Sequence, residues 1–478
     1  MLVRKIQFLK SRVVCLLLIG IIIYASIFSV LSITRHEHFS SHGWDLALYE
    51  QMIWKYSSGQ IAFSSLTHQL DLGDRFRPTM LLVVPFYKLW PDTKLLLIIQ
   101  ALLIASSALP LFLLALRKTE SYILSLTIAF ASILFVGSQS LMMNDFHELA
   151  FLPVFLASAF LFLDKKQWKL YFLMLVLALG VREYIGFIIA SLGISLFFMK
   201  VPGKVAVFTF ILGLVWSFIA IFIIMPRLGG NAYTGFLGKG EPFGKEVAYI
   251  ISNPGFLIYN AFQPNLKLQT VFVSFASFGF LSFLYPPLLF PIATHFLIRF
   301  LDLTHRYRWT YYFQYSADLA VLLSVAVIYS TANFNKLLNK FKLKAKYSLE
   351  IMILCMAVLI IQILVPTPLK LLLHKDFFQA QSYMQYNNEM FKLIPPDVSV
   401  AAQNTLAAHL GRRNQLSILP DVGDAEYIAV DLHPGQDNFD LYGLSYNDMR
   451  NLLGKYQNDN LYKIIYQKGD SFLLKKNI

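Results

Sequence analysis

Between residues 42 and 51 the chain reads His-Gly-Trp-Asp-Leu-Ala-Leu-Tyr-Glu-Gln, bringing the carboxylates Asp45 and Glu50 and the amide of Gln51 close together. This stretch follows residues 13–33, an apolar run long enough to cross a bilayer core of about 30 Å as a helix. The acids therefore emerge at a membrane face, neither in lipid nor in bulk water. A carboxylate so placed suits a general base acting on a lipid-linked substrate. Asp45 also suits the N-cap of a short helix, since its side chain accepts the free N–H groups of a first turn. The two roles are compatible.

Four further clusters combine charge with a boundary position: Asp71-Leu-Gly-Asp74-Arg75-Phe-Arg77-Pro78, Asn144-Asp145-Phe-His147-Glu148, Arg182-Glu183, and Thr304-His305-Arg306-Tyr307-Arg308-Trp309. Three ionisable groups at 145, 147 and 148 are costly beside a membrane unless paired or wet. Arg182 and Glu183 read equally as a functional pair and as an ion pair at the ends of two spans. His305, Arg306 and Arg308 read either as headgroup anchors or as a phosphate site, for which the guanidinium fork is suited. His36, His38 and His42 beside Asp45 raise a metal reading, but the i, i+2 spacing suits a strand. They read as polar loop histidines, so neither a divalent metal nor any other cofactor is assigned. In the tail, Asp397, Arg412, Arg413, Asp421, Asp424, Asp431 and His433 read as strand ends and turns, and His409 as a helix end. No phosphate-cradling glycine loop, nucleophile elbow or zinc-binding motif is present.

The elements that must hold these residues follow from composition. Of 478 residues, 56% are hydrophobic and 14% charged, with a mean hydropathy of +0.56. Soluble domains carry roughly a quarter charged residues, so the chain reads as a polytopic membrane protein. The formal charge of +13 lies mostly in short loops between apolar runs, which fits membrane topology and excludes a nucleic-acid partner. Cys15 and Cys355 both fall inside apolar runs, so no disulfide framework is expected. Arg4, Lys5, Lys10 and Arg12 before the first run resemble a signal peptide, but the run is long and no small-residue cleavage pattern follows; it reads as an uncleaved span.

Apolar runs occur near 13–33, 94–116, 122–142, 149–163, 168–181, 184–199, 205–225, 268–285, 286–301, 315–331 and 348–366, predicting about eleven spans. Basic residues concentrate in the N-terminus and in the loops at 117–120, 164–169, 200–204 and 332–347, which places the N-terminus inside. An odd number of spans then puts the C-terminus outside. The outer connections are long, at 34–93, 226–267 and from about 367, and long connections tend to carry function. Asp45–Tyr56 reads as a short amphipathic helix, and Arg77–Pro91 as a segment lying on the membrane surface. Residues 1–366 form the expected membrane domain and 367–478 a small α/β domain outside it. Within the latter, 398–402 and 427–432 read as strands, 448–456 as a helix, and 462–474 as a hairpin turning at Gly469-Asp470.

With these residues in view, the chain resembles the prokaryotic membrane-protein family termed domain of unknown function 2079. The matching pieces are Trp44–Trp54, Gly73–Pro78, Asp145–Glu148, Arg182-Glu183, Ile394–Asn404 and His409–Arg412. The family's variety at Glu50 and its histidine in the Gly73–Pro78 stretch are departures; Arg75 stands at the latter. That family in turn resembles the GT-C glycosyltransferases. The resemblance implies many spans, an acidic base just after the first, a second acidic site in the next outer loop, and a sugar donor on polyprenyl phosphate. Asp45 would be the base, with Asp145 and Glu148 as supporting acids. Glu50, Gln51, His147, Arg182, Glu183, Arg75, Arg77, His305, Arg306 and Arg308 would bind substrate.

The expected function is thus an inverting membrane glycosyltransferase in a prokaryotic inner membrane, with a lipid, glycan or protein acceptor. Two other readings stay open: a flippase or transporter of a lipid-linked envelope intermediate, and a non-catalytic envelope assembly protein.

Overall fold

The computed structural model describes residues 2–230, 235–341, 347–458 and 461–477, and the side chains of these except residues 2–11 and 339. Lys342, Lys344 and Lys346 of the basic loop, and the side chains of Arg4, Lys5 and Lys10, lie outside the described residues.

The apolar runs become helices. Four helical stretches are long and apolar enough to cross a membrane: Arg12–Glu37, Thr93–Thr119, Gly203–Arg227 and Gln314–Leu338. A fifth is added if Tyr122–Ile133 and Val136–Met143, bent by 43°, form one span. The other expected spans coincide with shorter helices, including Phe151–Asp164, Trp168–Leu179, Ile185–Phe198 and Ser348–Leu364. The region expected to hold spans 268–285 and 286–301 breaks into Asn265–Ala276 and Leu289–Phe300. Gly279 and Phe280 turn left-handed there, and two prolines follow at 286 and 287, where backbone N–H groups for a continuing helix are missing. Hence the full-length spans number four or five by length and composition among the described residues.

The expected amphipathic helix after the first span is present as a π-helical turn, Gly43–Ala47, running into the helix Leu48–Ser57. The surface segment becomes Pro78–Leu82 and Val84–Leu89, with Leu81, Leu82, Phe86, Leu89 and Trp90 exposed, as suits contact with lipid. A short antiparallel pair, β1 (Phe63–Ser64) and β2 (Gln69–Leu70), closes the loop between them.

Toward the C-terminus the strands β3 (Val400–Ala402), β4 (Leu416–Ile418), β5 (Tyr427–Asp431), β6 (Tyr462–Lys468) and β7 (Ser471–Lys476) form one sheet in the order β4-β3-β5-β7-β6. β3 runs parallel to β4 and β5, whereas β7 runs antiparallel to β5 and β6. Alternation sends Val400, Ala402 and Ala429 to one face and Ala401, Ile428 and Val430 to the other. The second face is covered by the helix Tyr446–Asn458 through Met449 and Leu453. The first face shares its core with Met384 and Met390 of the helix Ser382–Phe391, and with Phe39, Ala47, Leu48 and Leu66 of the first long loop. The sheet is therefore packed against the loop that carries Asp45.

Candidate active site

Where the membrane helices, the first loop and the C-terminal segment meet, they enclose a cavity of about 800 Å³. Asp45 enters it from the π-helical turn, a backbone form that recurs at functional sites. The turn comes unusually close to the C-terminal segment: a Cβ on Gly43 would stand 2.5 Å from the Cβ of Ala407, so only glycine fits. Asn404 then fixes the turn, its Oδ1 accepting from the Trp44 amide at 3.1 Å while its Nδ2 donates to the Phe439 carbonyl at 3.0 Å.

Three carboxylates line the cavity, and they are differently engaged. Asp145 accepts from Arg35 Nη1 at 2.8 Å and from the His42 amide at 3.1 Å. Burial disfavours its charge, but Arg35 and His42 outweigh that and hold it well below the usual carboxylate range. Asp74 pairs with Arg75 at 3.3 Å. The Asp45 carboxylate accepts no hydrogen bond among the described residues, and 30% of its side chain is accessible. The His147 ring approaches it, with Nε2 3.9 Å from Oδ2. Burial raises the Asp45 pKa, with Asp145 and Glu148 adding to the rise and His147 opposing it. A carboxylate that accepts no hydrogen bond and is tuned upward is what a general base requires.

Glu148 sits behind this wall. It is fully buried, accepts from the Tyr49 hydroxyl, and has Arg182 Nη1 at 3.1 Å and Arg77 Nη1 at 3.9 Å. Arg182 and Arg77 outweigh the cost of burial and keep Glu148 ionised. Its position makes it an anchor for cations, while Arg182 itself reaches the cavity. Arg77 also reaches the lining but is spent on Asp71, 2.6 Å from Nη2, and lies 4.4 Å over the Tyr49 ring. Arg75, Arg182 and His305 complete a basic wall; His305 is oriented by Asp302, 3.0 Å from Nδ1.

The remaining expected residues lie outside the cavity lining. Glu50 turns away from Asp45 along its helix and is 1% exposed, accepting from the Tyr87 hydroxyl at 2.8 Å with Arg412 Nε at 3.8 Å. Gln51 donates to Ser65 Oγ and to the Arg413 carbonyl, both at 2.9 Å, tying the loop to the C-terminal segment. Glu183 accepts from the Phe76 amide at 3.0 Å. Arg306 is exposed, and Arg308 is engaged by Asp302 at 2.5 Å. The cavity also gathers His42 and Tyr307, from stretches noted in the sequence, and Tyr315, Asn438, Phe439 and Tyr442, which no local pattern in the sequence singles out. His409, expected at a helix end, follows the short helix Asn404–Ala407 and stacks on His36 with ring centroids 4.0 Å apart. Among the described residues no group of three or more His, Cys, Asp or Glu is placed to hold a metal ion.

Residues 35–470 match the family described as "Predicted membrane protein (DUF2079)". The chain belongs to that family. No curated protein matches the DUF2079 chain. Among solved structures, the crystal structure of ArnT from Cupriavidus metallidurans bound to undecaprenyl phosphate is similar, with a TM-score of 0.53, at 9% identity, over 96% of this chain and 97% of that one. At that identity the likeness of this DUF2079 member to ArnT is one of fold alone.

Proposed function

We propose that this protein is an integral membrane glycosyltransferase that moves a sugar from a polyprenyl-phosphate donor to an acceptor hydroxyl, with inversion, using Asp45 as the base. The observation that carries the reading is the Asp45 carboxylate, free of hydrogen bonds among the described residues and tuned upward, sharing one cavity with Arg75, Arg182 and His305. Asp45 would take the acceptor hydroxyl proton as the acceptor oxygen bonds to the sugar's anomeric carbon. The bond from that carbon to the phosphate oxygen breaks, and its electron pair leaves with the polyprenyl phosphate. The basic wall would stabilise the departing charge. A phosphate leaving group is already acidic, so no general acid is needed. Base catalysis of this kind contributes on the order of 10²–10⁴-fold. The similarity of fold to a protein solved with undecaprenyl phosphate supports a lipid of that class as the carrier.

In this reading residues 1–366 form the catalytic membrane domain and 367–478 an extracytoplasmic domain capping the site. The N-terminus lies inside and the reaction occurs on the outer face of the inner membrane. Asp145 and Glu148 assist by holding His42, Arg35, Arg77 and Arg182 in place.

The test is release of polyprenyl phosphate from a panel of polyprenyl-phosphate sugars by the purified protein, wild type against Asp45→Asn. Release by the wild type that collapses in the variant is the expected result. Lack of release from every donor, with the lipid phosphate still bound, would overturn the transferase and leave lipid handling without chemistry.

A further inference from the structure

The two sides of the cavity differ in chemistry. One carries Arg75, Arg182 and His305. Another part of the lining, Trp44 with Asn438, Phe439, Tyr442 and Gly443 of the C-terminal segment, is polar-neutral and aromatic, with the His42 ring edge-on to Phe439 at 4.7 Å. Trp44 and Tyr442 remain 38% and 40% exposed, with ring centroids 5.2 Å apart and planes inclined by 34°. Two adjacent aromatic rings left uncovered at a cavity offer apolar faces on which a ligand can lie. Tyr442 is held there by a left-handed backbone, φ 54°, which side-chain-bearing residues seldom adopt, followed by Gly443 at φ 84°. The Asn438 side chain is exposed at the same edge, with an amide able to donate and accept. Asp440, the one charge in this stretch, is taken up by His42, 3.2 Å from Oδ1.

On this basis we infer that the aromatic wall of Trp44 and Tyr442 is the acceptor subsite, and that the acceptor is an uncharged carbohydrate. The inference rests on the transferase reading above and specifies its second substrate. A pyranose presents C–H groups on its faces and hydroxyls at its rim. The faces suit aromatic rings, whose negative π-surface attracts polarised C–H groups, and the rim suits an amide such as Asn438. A phosphorylated acceptor would find on this wall only His42, whose two ring nitrogens are already taken up by Asp145 at 3.3 Å and Asp440 at 3.2 Å. Trp44 and Asp45 both line the cavity, so a sugar against the indole would lie in the same space as the base. Asn404 fixes the π-helical turn to the Phe439 carbonyl, so the C-terminal segment sets the separation between wall and base.

The experiment is saturation-transfer NMR on the full-length protein in nanodiscs, with methyl pyranosides as probes and glycerol phosphate and a serine peptide as comparators. Polyprenyl phosphate binding is followed in the same samples. The expected result is transfer to ring C–H protons of at least one pyranoside, reduced at least fivefold in Tyr442→Ala and in Trp44→Ala and kept in Tyr442→Phe. Preferential transfer to glycerol phosphate or the peptide would overturn the carbohydrate assignment, as would pyranoside signals unchanged in Tyr442→Ala. Absence of signal from every pyranoside, with polyprenyl phosphate still bound, would overturn the subsite and leave the transferase reading standing. Loss of polyprenyl phosphate binding by the wild type would instead count against the transferase reading. If the alanine variants do not fold, Trp44→Phe and Tyr442→Leu decide, since only the second removes an aromatic face.

Discussion

Nε2 of His147 lies 3.9 Å from Oδ2 of Asp45 and, though buried, has no hydrogen-bond partner among the described residues. The imidazole is held from its other side by the Tyr49 hydroxyl, 3.4 Å from Nδ1. Its field acts on Asp45 without a bond that would block proton transfer.

Asp45→Asn removes the proton acceptor and is expected to lower turnover on the order of 10²–10⁴-fold with an unchanged melting temperature. In the wild type, the rate should climb with pH as Asp45 ionises. His147 favours the ionised form, so His147→Gln should move this acid limb to higher pH. A pH–rate profile for both proteins checks this; an unmoved limb would assign it to another group.

Arg182 serves both the cavity and the buried Glu148. Arg182→Gln leaves Glu148 with Arg77 at 3.9 Å and the Tyr49 hydroxyl, and should cost about 3–5 kcal/mol of stability. Adding Glu148→Gln removes the stranded charge and should recover much of that loss. Thermal unfolding reads the recovery, while turnover should stay low in the double variant because the basic wall still lacks Arg182.

Glu50 belongs to the joint between loop and C-terminal segment. Burial raises its pKa, with the Tyr87 and Thr93 bonds and the Arg412 charge opposing the rise. Glu50→Gln should retain stability and turnover, whereas Glu50→Ala strips Tyr87 of its acceptor at a cost of roughly 1–3 kcal/mol. Gly411→Ala should act on the same joint, since its Cβ would stand 2.7 Å from Glu50 Oε2. Melting curves distinguish the three.

His42 bridges Asp145 and Asp440, at 3.3 Å and 3.2 Å, and so links the membrane part to the C-terminal segment. Burial and Arg35 oppose its protonation, but bonds to the two carboxylates outweigh them and raise its pKa above 6.5. A histidine raised in the fold contributes stability fully below its unfolded value and loses it as pH climbs through the folded value. Asp145, lowered below 3.8, contributes above that value and loses it as pH falls. Their joint contribution should therefore peak between about 4 and 6.5 and fade above. Protease protection of residues 434–443 should follow this course in the wild type and lose its alkaline decline in His42→Gln.

Much of the plan could be read directly from the chain, because it depends on local patterning. Apolar run length marks membrane helices, the strand at 427–432 follows from a short continuous apolar run and the hairpin at 462–474 from its Gly469-Asp470 turn, and the acids and bases at 45, 145, 147, 148 and 182 stand out at span ends. Run length did not disclose how many runs form full-length helices, since breaks at residues such as Gly279 and Phe280 depend on packing as well as on sequence. Likewise, identical-looking carboxylates parted ways only in three dimensions. Asp145 meets Arg35 across 110 positions, Glu50 faces Tyr87 and Gly411, and the Asp45 carboxylate alone of these reaches the cavity without accepting a hydrogen bond among the described residues. Residue type determined which groups can ionise; tertiary packing decided which are desolvated, which are paired, and that Trp44 and Tyr442, nearly 400 residues apart, form one wall. Such pairings bring together segments remote in the chain, and no short-range periodicity encodes them.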